Sequence, residues 1–502
     1  MQKILSASEI RAADQFTIEH EPIASIDLME RASLAFVEEF LRYIKPNTSV
    51  NVICGPGNNG GDGLAIARML LARGFEVSCF LVNVAAKLSE DCSVNLERLK
   101  KVTEVKLVDS LSDLELLNGV IIDAIFGSGL NRSVTGLAAE VIVKANDSGL
   151  PIVSVDMPSG LMADEVSLKG VIIKASGTIT FQLPKLSFLV PESGRYVGEW
   201  YAVDIGLSTE FIRRQTSRHS LIDTAYVSGV LPVRGKFGHK GSYGRVQLVA
   251  GSLGKMGAAT LCGEACLKSG AGLLTIHVPG VGLNVVQTVL REAMATVDEC
   301  ETHICDIPVM TNADVICVGP GLGTNKETAL ALEKLLQETK VPMVIDADAL
   351  NIIAETPALL EHIPEGSVLT PHVGELERLV GKQPEGLARV RKIIEISVTN
   401  RLVVVLKGAH SAVSDESGQV FFNTTGNSGM ATAGSGDVLA GVIAGLMAQG
   451  LSGKEAAISG VFLHGMAGDL AKNKVGKTSL MASNLLNELH QAFSNVTITS
   501  LF

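Results

Sequence analysis

The strongest constraint on this chain is a rhythm that runs through it twice. A short β-branched apolar run is followed by a turn and then by a stretch of helical period. Such runs read as strands at Val50–Cys54, Val77–Val82, Val105–Val108, Gly119–Ala124, Pro151–Val155 and Thr178–Phe181. Amphipathic stretches at Ala24–Tyr43, Gly63–Arg73 and Ala138–Ser148 lie before and between them. Strands that alternate with helices form a mostly parallel sheet covered on both faces. The rhythm restarts with Arg245–Ala250, Leu273–Val278, Val315–Val318, Met343–Asp346, Ser367–Thr370 and Leu402–Lys407. A hairpin-like stretch, Ala412–Asn423, and a long small-residue helix from about Gly436 complete it. At 502 residues the chain exceeds one ordinary core. The expected fold class is α/β: two α/β/α domains, 1–210 and 220–502, with the polar segment Thr209–Ser220 as linker.

Composition removes several function classes. A net charge of −11 and 4% aromatic residues, with one tryptophan, argue against a nucleic-acid platform. An anionic ligand stays open, because backbone amides and helix N-termini hold phosphate without basic side chains. The segment Met1–Glu9 lacks the apolar core of a secretory signal. Val120–Phe126 and Val438–Met447 fall short of the ~20 residues that span a bilayer. The expectation is a soluble, cytoplasmic protein. No Cys-x-x-Cys pair occurs; Cys262 and Cys266 are spaced to share a helix face, and packing is the favoured role.

Ligands of such sheets bind at the carboxyl ends of the strands. In the first half, Gly55-Pro-Gly-Asn-Asn-Gly-Gly-Asp-Gly63 joins a strand to a helix. Its glycines permit positive φ and close approach of a ligand, and the helix N-terminus favours a phosphate. Gly55, Gly57 and Gly60 stand at Gly-x-Gly-x-x-Gly spacing, but the segment is not read as the dinucleotide fingerprint, and no P-loop Gly-Lys-Ser/Thr follows it. Asp123–Ser133, Asp156–Gly160 and Phe181–Lys185 end neighbouring strands. Asn59, Asp123 and Ser159 offer hard oxygen ligands for an alkali or alkaline-earth cation, and Asp156 can serve as an acid or base.

Through Asn58–Gly63, Asp123–Leu130 and Asp156–Gly160, this half resembles the YjeF N-terminal domain, a Rossmann-like epimerase of hydrated nicotinamide cofactors. The resemblance implies interconversion of the R and S epimers of NADH and NADPH hydrates with bound K+. By matching motif it implies Asn59, Asp123 and Ser159 as K+ ligands. It implies Asn58, Asn59, Gly60, Gly61, Asp62, Gly127, Ser128, Gly129, Leu130, Asn131, Arg132, Ser133 and Asp156 as substrate contacts.

The second half centres on Asn423–Gly441, where Gly434-Ser-Gly-Asp437 opens a helix. Amides 434–436 form a hole for developing negative charge, and Asp437 can take a proton from a hydroxyl beside it. Small-molecule phosphoryl transfer needs that arrangement. Gly319–Gly323, Asp346–Asn351, Thr370–Glu375 and Lys407–Ser411 each follow a strand; His464–Asp469 lies on a late helix where packing suffices to explain it. With Gly251–Leu274 and Gly426–Gln449, these segments resemble the ribokinase-like, ADP-dependent dehydratase of the same hydrates. That implies phosphorylation of the hydrate hydroxyl by ADP with Mg2+, then elimination to NADH or NADPH. By motif, Ala258, Gly321, His372 and Asp437 contact the hydrate, and Lys407, Gly408, Ala409, His410, Ser411 and Gly436 contact the nucleotide. The whole implies a bifunctional repair enzyme with Asp437 and Asp156 as catalytic residues, assembled as a homo-oligomer, a tetramer by preference. A ribokinase-like vitamin-precursor kinase and a non-catalytic first half are the competing readings. Val373, where proline is usual, and Ala433 with Ser435 depart from the pattern.

Overall fold

The computed structural model describes residues 1–21, 23–165 and 169–497. The chain forms two compact units, Lys3–Ser217 and Arg218–Phe502, the latter joined by Met1–Gln2. The first strand, β1 (Gln2–Lys3), belongs to the sheet of the second unit.

In the first unit the strands are β2 (Val50–Cys54), β3 (Val77–Val82), β4 (Val105–Val108), β5 (Val120–Ala124), β6 (Ile152–Val155), β7 (Gly177–Phe181) and β8 (Glu199–Val203). They lie in the order β4-β3-β2-β5-β6-β7-β8, and all pairs are parallel. The central strands β2 and β5 are buried along their whole length, as expected of strands covered on both faces. Strand order reverses between β2 and β5, which opens a crevice at their carboxyl ends. The Asn58 and Asp123 segments meet there.

The glycine-rich segment differs from its expected form. The helix begins at Asn58, not Gly63, and runs to Leu71. None of Gly55, Gly57, Gly60, Gly61 and Gly63 has positive φ. Three of them serve close approach of the chain to itself. A Cβ on Gly60 would stand 1.7 Å from the Gly55 carbonyl oxygen, one on Gly61 2.8 Å from Met29 Sδ, and one on Gly63 2.5 Å from Ala124 Cβ. The glycines therefore seat the start of this helix against the end of β2, against β5 and against Met29 of the preceding helix.

The second unit adds β9 (His219–Leu221), β10 (Arg245–Val249), β11 (Leu273–Val278), β12 (Met294–Val297), β13 (Val315–Val318), β14 (Met343–Ile345), β15 (Val368–Leu369), β16 (Val403–Leu406), β17 (Ala412–Ser414) and β18 (Val420–Phe422). Their order is β1-β9-β18-β17-β16-β15-β14-β13-β10-β11-β12. β16, β17 and β18 pair antiparallel; the strands from β16 to β12 pair parallel. The reversal here lies between β10 and β13. The small-residue helix spans Ser435–Ala448. It abuts the helix Met256–Lys268 so closely that a Cβ on Gly441 would stand 2.2 Å from the Cys262 carbonyl oxygen.

Segment Thr209–Ser220, expected as a plain linker, contains a helix at Thr209–Arg214 and enters β9. Cys262 and Cys266 are buried, as are Cys54, Cys79, Cys92 and Cys317. Cys300 and Cys305 instead form a disulfide that the spacing did not announce. Among the described residues no helix is long and apolar enough to cross a membrane.

Candidate active sites

In the first unit a cavity of about 900 Å³ opens at the β2/β5 crevice. Its walls include Asn58, Asn59, Asp62, the loop from Gly127 through Ser128, Gly129, Leu130, Asn131 and Arg132 to Ser133, and Asp156. Gly60 and Gly61 do not line it; they are buried in the helix seat described above.

Asp156 is held in an unusual backbone conformation, φ 62°, directly after β6. For a residue with a Cβ that costs of order 1 kcal/mol, so the surroundings must enforce it. Its Oδ1 accepts from Lys185 Nζ at 2.7 Å, Thr180 Oγ1 at 3.1 Å and Phe181 N at 3.2 Å. Lys185 is 1% exposed and donates also to Thr180 Oγ1 and the carbonyls of Phe181 and Leu183. Burial works against the Asp156 charge, but the Lys185 ammonium and these hydrogen bonds outweigh it and hold the carboxyl below its ordinary range.

Asp14, on the helix Ala7–His20, lines the same cavity and was not anticipated from the sequence. Burial, reinforced by the Asp156 charge, pushes its carboxyl up to about 6. Asp62 is raised well above its ordinary value by burial and by Asp156, while Ser33 Oγ donates to it at 3.3 Å. One cavity thus holds a carboxylate held below its ordinary range and two carboxyls whose affinity for a proton is raised. Pairs of acids with separated pKa values are the usual basis of acid–base chemistry near neutrality. The clue to Asp14 was available in principle, as a lone acid beside Ala13 on the buried side of an amphipathic helix.

Asp123 is fully buried below this cavity. Its oxygens accept from Ser159 Oγ at 2.5 Å, Ser159 N at 2.8 Å and Ser154 Oγ at 2.9 Å. Burial raises its carboxyl all the same. Asn59 Nδ2 is buried without a hydrogen-bond partner, and a Cβ on Gly127 would stand 3.0 Å from Asn59 Oδ1.

In the second unit the helix Ser435–Ala448 starts from Gly434, a left-handed N-cap (φ 86°) that provides no side-chain cap. Ser435 N donates to the Thr432 carbonyl at 3.4 Å, and the amides that follow it in the first turn are left for another acceptor. Asp437, in the first turn, is pushed up to about 7 by burial and next by the charge of Asp346. Asp346 is 1% exposed and pairs with Lys407 Nζ at 2.6 Å; Glu375 Oε2 stands 3.8 Å from the same nitrogen. Burial opposes the Lys407 charge, but these carboxylates hold its pKa above the ordinary value. A Cβ on Gly436 would stand 3.2 Å from Lys407 Nζ, so glycine there lets the helix start abut the ion pair.

His372 caps the helix Val373–Val380: its Nδ1 accepts from Glu375 N, and its own N donates to Glu375 Oε2 at 2.8 Å. Residues 408–411 form the turn between β16 and β17, with Ser411 Oγ donating to the Gly408 carbonyl; Ala409 and His410 lie within it. Ala258 and Gly321 meet at the β10/β13 switch point, where a Cβ on Gly321 would stand 3.0 Å from Ala258 Cβ.

The late helix Gly453–Val475 does more than pack. His464, whose ring burial holds neutral with a pKa lowered to about 4, lies with Nε2 3.0 Å from the Ser435 carbonyl oxygen. A neutral ring must donate from Nε2 to that carbonyl, so His464 supports the helix start from behind. Asp469 accepts from Gly426 N and Asn427 Nδ2 and so orders the loop leading to Gly434.

Comparison with known proteins agrees with this partition. Residues 25–187 match the YjeF-related protein N-terminus, and residues 246–491 match NAD(P)H-hydrate dehydratase. A bifunctional NAD(P)H-hydrate repair enzyme Nnr from Moorella thermoacetica is 39% identical over 98% of this chain and 97% of its own. One from Thermofilum pendens is 36% identical over 98% and 96%. The crystal structure of an ADP/ATP-dependent NAD(P)H-hydrate dehydratase from Bacillus subtilis, co-crystallized with ATP/Mg2+, covers 55% of this chain and 98% of that one, with 27% identity and a TM-score of 0.49. With two family models matched in succession and full-length relatives above 30% identity, the chain belongs to the bifunctional NAD(P)H-hydrate repair enzyme family.

Proposed function

We propose that this chain repairs hydrated NADH and NADPH in two steps, epimerising R and S hydrates in its first unit and dehydrating the S form in its second. The observation that carries the reading is Asp437: a carboxyl with a pKa of about 7, one turn from an uncapped helix N-terminus and beside the Lys407–Asp346 pair. A group of that pKa is matched to taking a proton near neutral pH. In the dehydration, Asp437 takes the proton of the hydrate hydroxyl as its oxygen attacks the terminal phosphorus of ADP. AMP leaves, and the amides at Gly434–Gly436 hold the charge on the transferred group. The C–O bond then breaks, phosphate departs, and loss of a proton from the adjacent carbon restores the dihydropyridine. Lys407, committed to Asp346 and Glu375, acts chiefly in holding those carboxylates in place. Ala258, Gly321 and His372 are assigned to the hydrate, and Gly408–Ser411 with Gly436 to the nucleotide.

Mg2+ finds no preformed cage here. The hard oxygens of Asp346 and Glu375 already face an ammonium, so the ion would arrive with the nucleotide phosphates, and no step is derived through it.

In the first unit the hydroxyl sits on a carbon bonded to nitrogen. Asp14 gives a proton to that hydroxyl, the nitrogen lone pair expels water, and water returns to the opposite face while Asp156 takes its proton. The oxygens of Asp123 and Ser159 with the Asn59 amide oxygen suit K+ by type, and a cation there would compensate the buried Asp123 carboxylate, whose charge burial disfavours. It would supply fixed positive charge toward a phosphate of the substrate. Homo-oligomerisation and cytoplasmic residence complete the reading.

Two variants test it. Asp437→Asn is expected to abolish ADP-dependent recovery of NADH from S-hydrate. Asp156→Ala is expected to slow R-to-S conversion and leave S-hydrate recovery intact. Wild-type recovery in the first variant would remove the proposed base.

A further inference from the structure

The loop Asp298–Asp306 takes no part in either proposed site, yet it collects an unusual set of side chains. Cys300, His303 and Cys305 fall within six residues, and Glu327 faces them from the first turn of the helix Lys326–Glu338. Ligand atoms of Cys300, His303 and Glu327 lie within 4.8 Å of one another, and so do those of Asp298, Cys300 and Cys305. His303 Nε2 is 2.7 Å from Glu327 Oε2.

We infer that, once the Cys300–Cys305 disulfide is reduced, these residues bind one Zn2+-class ion through Cys300, Cys305, His303 and Glu327. Two thiolates, an imidazole and a carboxylate are the donors that such an ion takes in four-coordinate sites. Metal distances near 2.0–2.3 Å put neighbouring ligand atoms roughly 3.3–3.8 Å apart, a short adjustment for Cys300, His303 and Glu327, toward which reduction of the disulfide frees Cys305 to turn.

The frame around the ligands is already built. Asp298 accepts from the amides of Cys300 at 2.8 Å, Cys305 at 3.0 Å and Asp306 at 3.1 Å, which turns both cysteine side chains to one side. Gly280 N donates to the Cys300 carbonyl, Leu253 N to that of Thr302, and Thr328 Oγ1 to that of Ile304. A half-exposed His–Glu pair alone would contribute little to stability, and it would need no cysteine beside it.

The chemistry balances. A dithiol reductant gives two electrons and two protons to the disulfide, becomes a disulfide itself, and leaves two cysteine thiols. The metal ion then displaces both thiol protons as it binds. A small disulfide oxidant reverses the sequence: it takes the two electrons and is reduced to its dithiol, the Cys300–Cys305 bond re-forms and the ion leaves, so disulfide and metal exclude each other. The ion would tie the loop to the helix Lys326–Glu338. Through Leu253 it would also brace the loop that follows β10.

The test uses the full-length chain, reduced with a phosphine, freed of it without air, and titrated with Co2+. One equivalent is expected to give thiolate-to-cobalt charge transfer and the visible bands of a tetrahedral site, with no such spectrum in the oxidised chain. Cys300→Ser and Cys305→Ser should lose the charge transfer, and His303→Ala should weaken binding by roughly tenfold or more. Zn2+ should raise the melting temperature of the reduced parent and not that of the oxidised one. Absence of the spectrum in the reduced parent overturns the inference whatever the variants do. So does its persistence in the Cys300→Ser/Cys305→Ser double variant, since another cysteine would then hold the ion.

Discussion

At the scale of single residues, the two sites depend on carboxyl groups displaced in opposite directions. Asp156 is held low by Lys185 despite burial, whereas Asp437 is raised to about 7. For Asp437 the folded chain binds its proton more tightly than the unfolded chain does. Stability therefore declines as pH rises from about 4, the unfolded value, through about 7. Asp437→Asn removes that penalty. It should stabilise the second unit by about 2–4 kcal/mol at pH 8 and by almost nothing at pH 4, as denaturant titrations at the two pH values would report. The same group predicts that dehydration rises with pH through a limb near 7 in the wild-type pH–rate profile; a flat profile from pH 6 to 8 would contradict it. For epimerisation, Asp14→Asn should lower the rate by roughly 10²-fold or more, the usual contribution of a positioned acid, with the R-hydrate consumption rate as readout.

At the scale of elements, the glycine segment is where sequence and structure part most usefully. The strand ends and the crevice were legible, because short continuous apolar runs alternating with helical stretches leave few topologies for a parallel sheet. That the glycines lie inside a helix was not, because glycine is a poor helix former and its residence there is explained only by what touches it. Gly63→Ala tests the difference. It should cost the first unit about 1–3 kcal/mol through the clash with Ala124 and Cys54, measured as a shift in denaturant midpoint; an unchanged midpoint would mean the helix seat has slack. Asp14 escaped notice for a similar reason, since a single carboxyl on a helix declares itself only when the sheet brings Asp156 beside it. The segment His464–Asp469 was singled out but read as packing, because the partners that show its role, Ser435 and the Gly426 loop, are about thirty to forty positions away. The strands β8 and β12 were missed although their residues are largely apolar, because each is a short, mostly exposed strand at a sheet edge, where an apolar run of four or five is no stronger a signal than one in a loop.

At the scale of the whole molecule, each site draws all its named residues from one unit. The division of labour should therefore survive separation onto different chains. A mixture of Asp156→Ala and Asp437→Asn chains is expected to recover NADH from R-hydrate with ADP, at a rate approaching that of the wild type at equal site concentration. Failure of the mixture, with each variant otherwise folded, would point to hand-over of the intermediate within one chain.

The bare helix start at Gly434 has a cost that selection on stability alone would have erased. A serine or aspartate in that place would close the end of the helix with its own oxygen, a gain of about 1 kcal/mol in most proteins. Here it would occupy the very seat kept for an incoming anion, and a side chain at φ 86° would press on Leu261. Stabilising libraries built on this chain should therefore discard position 434 first, since a capping side chain there trades the open catalytic helix end for an occupied one.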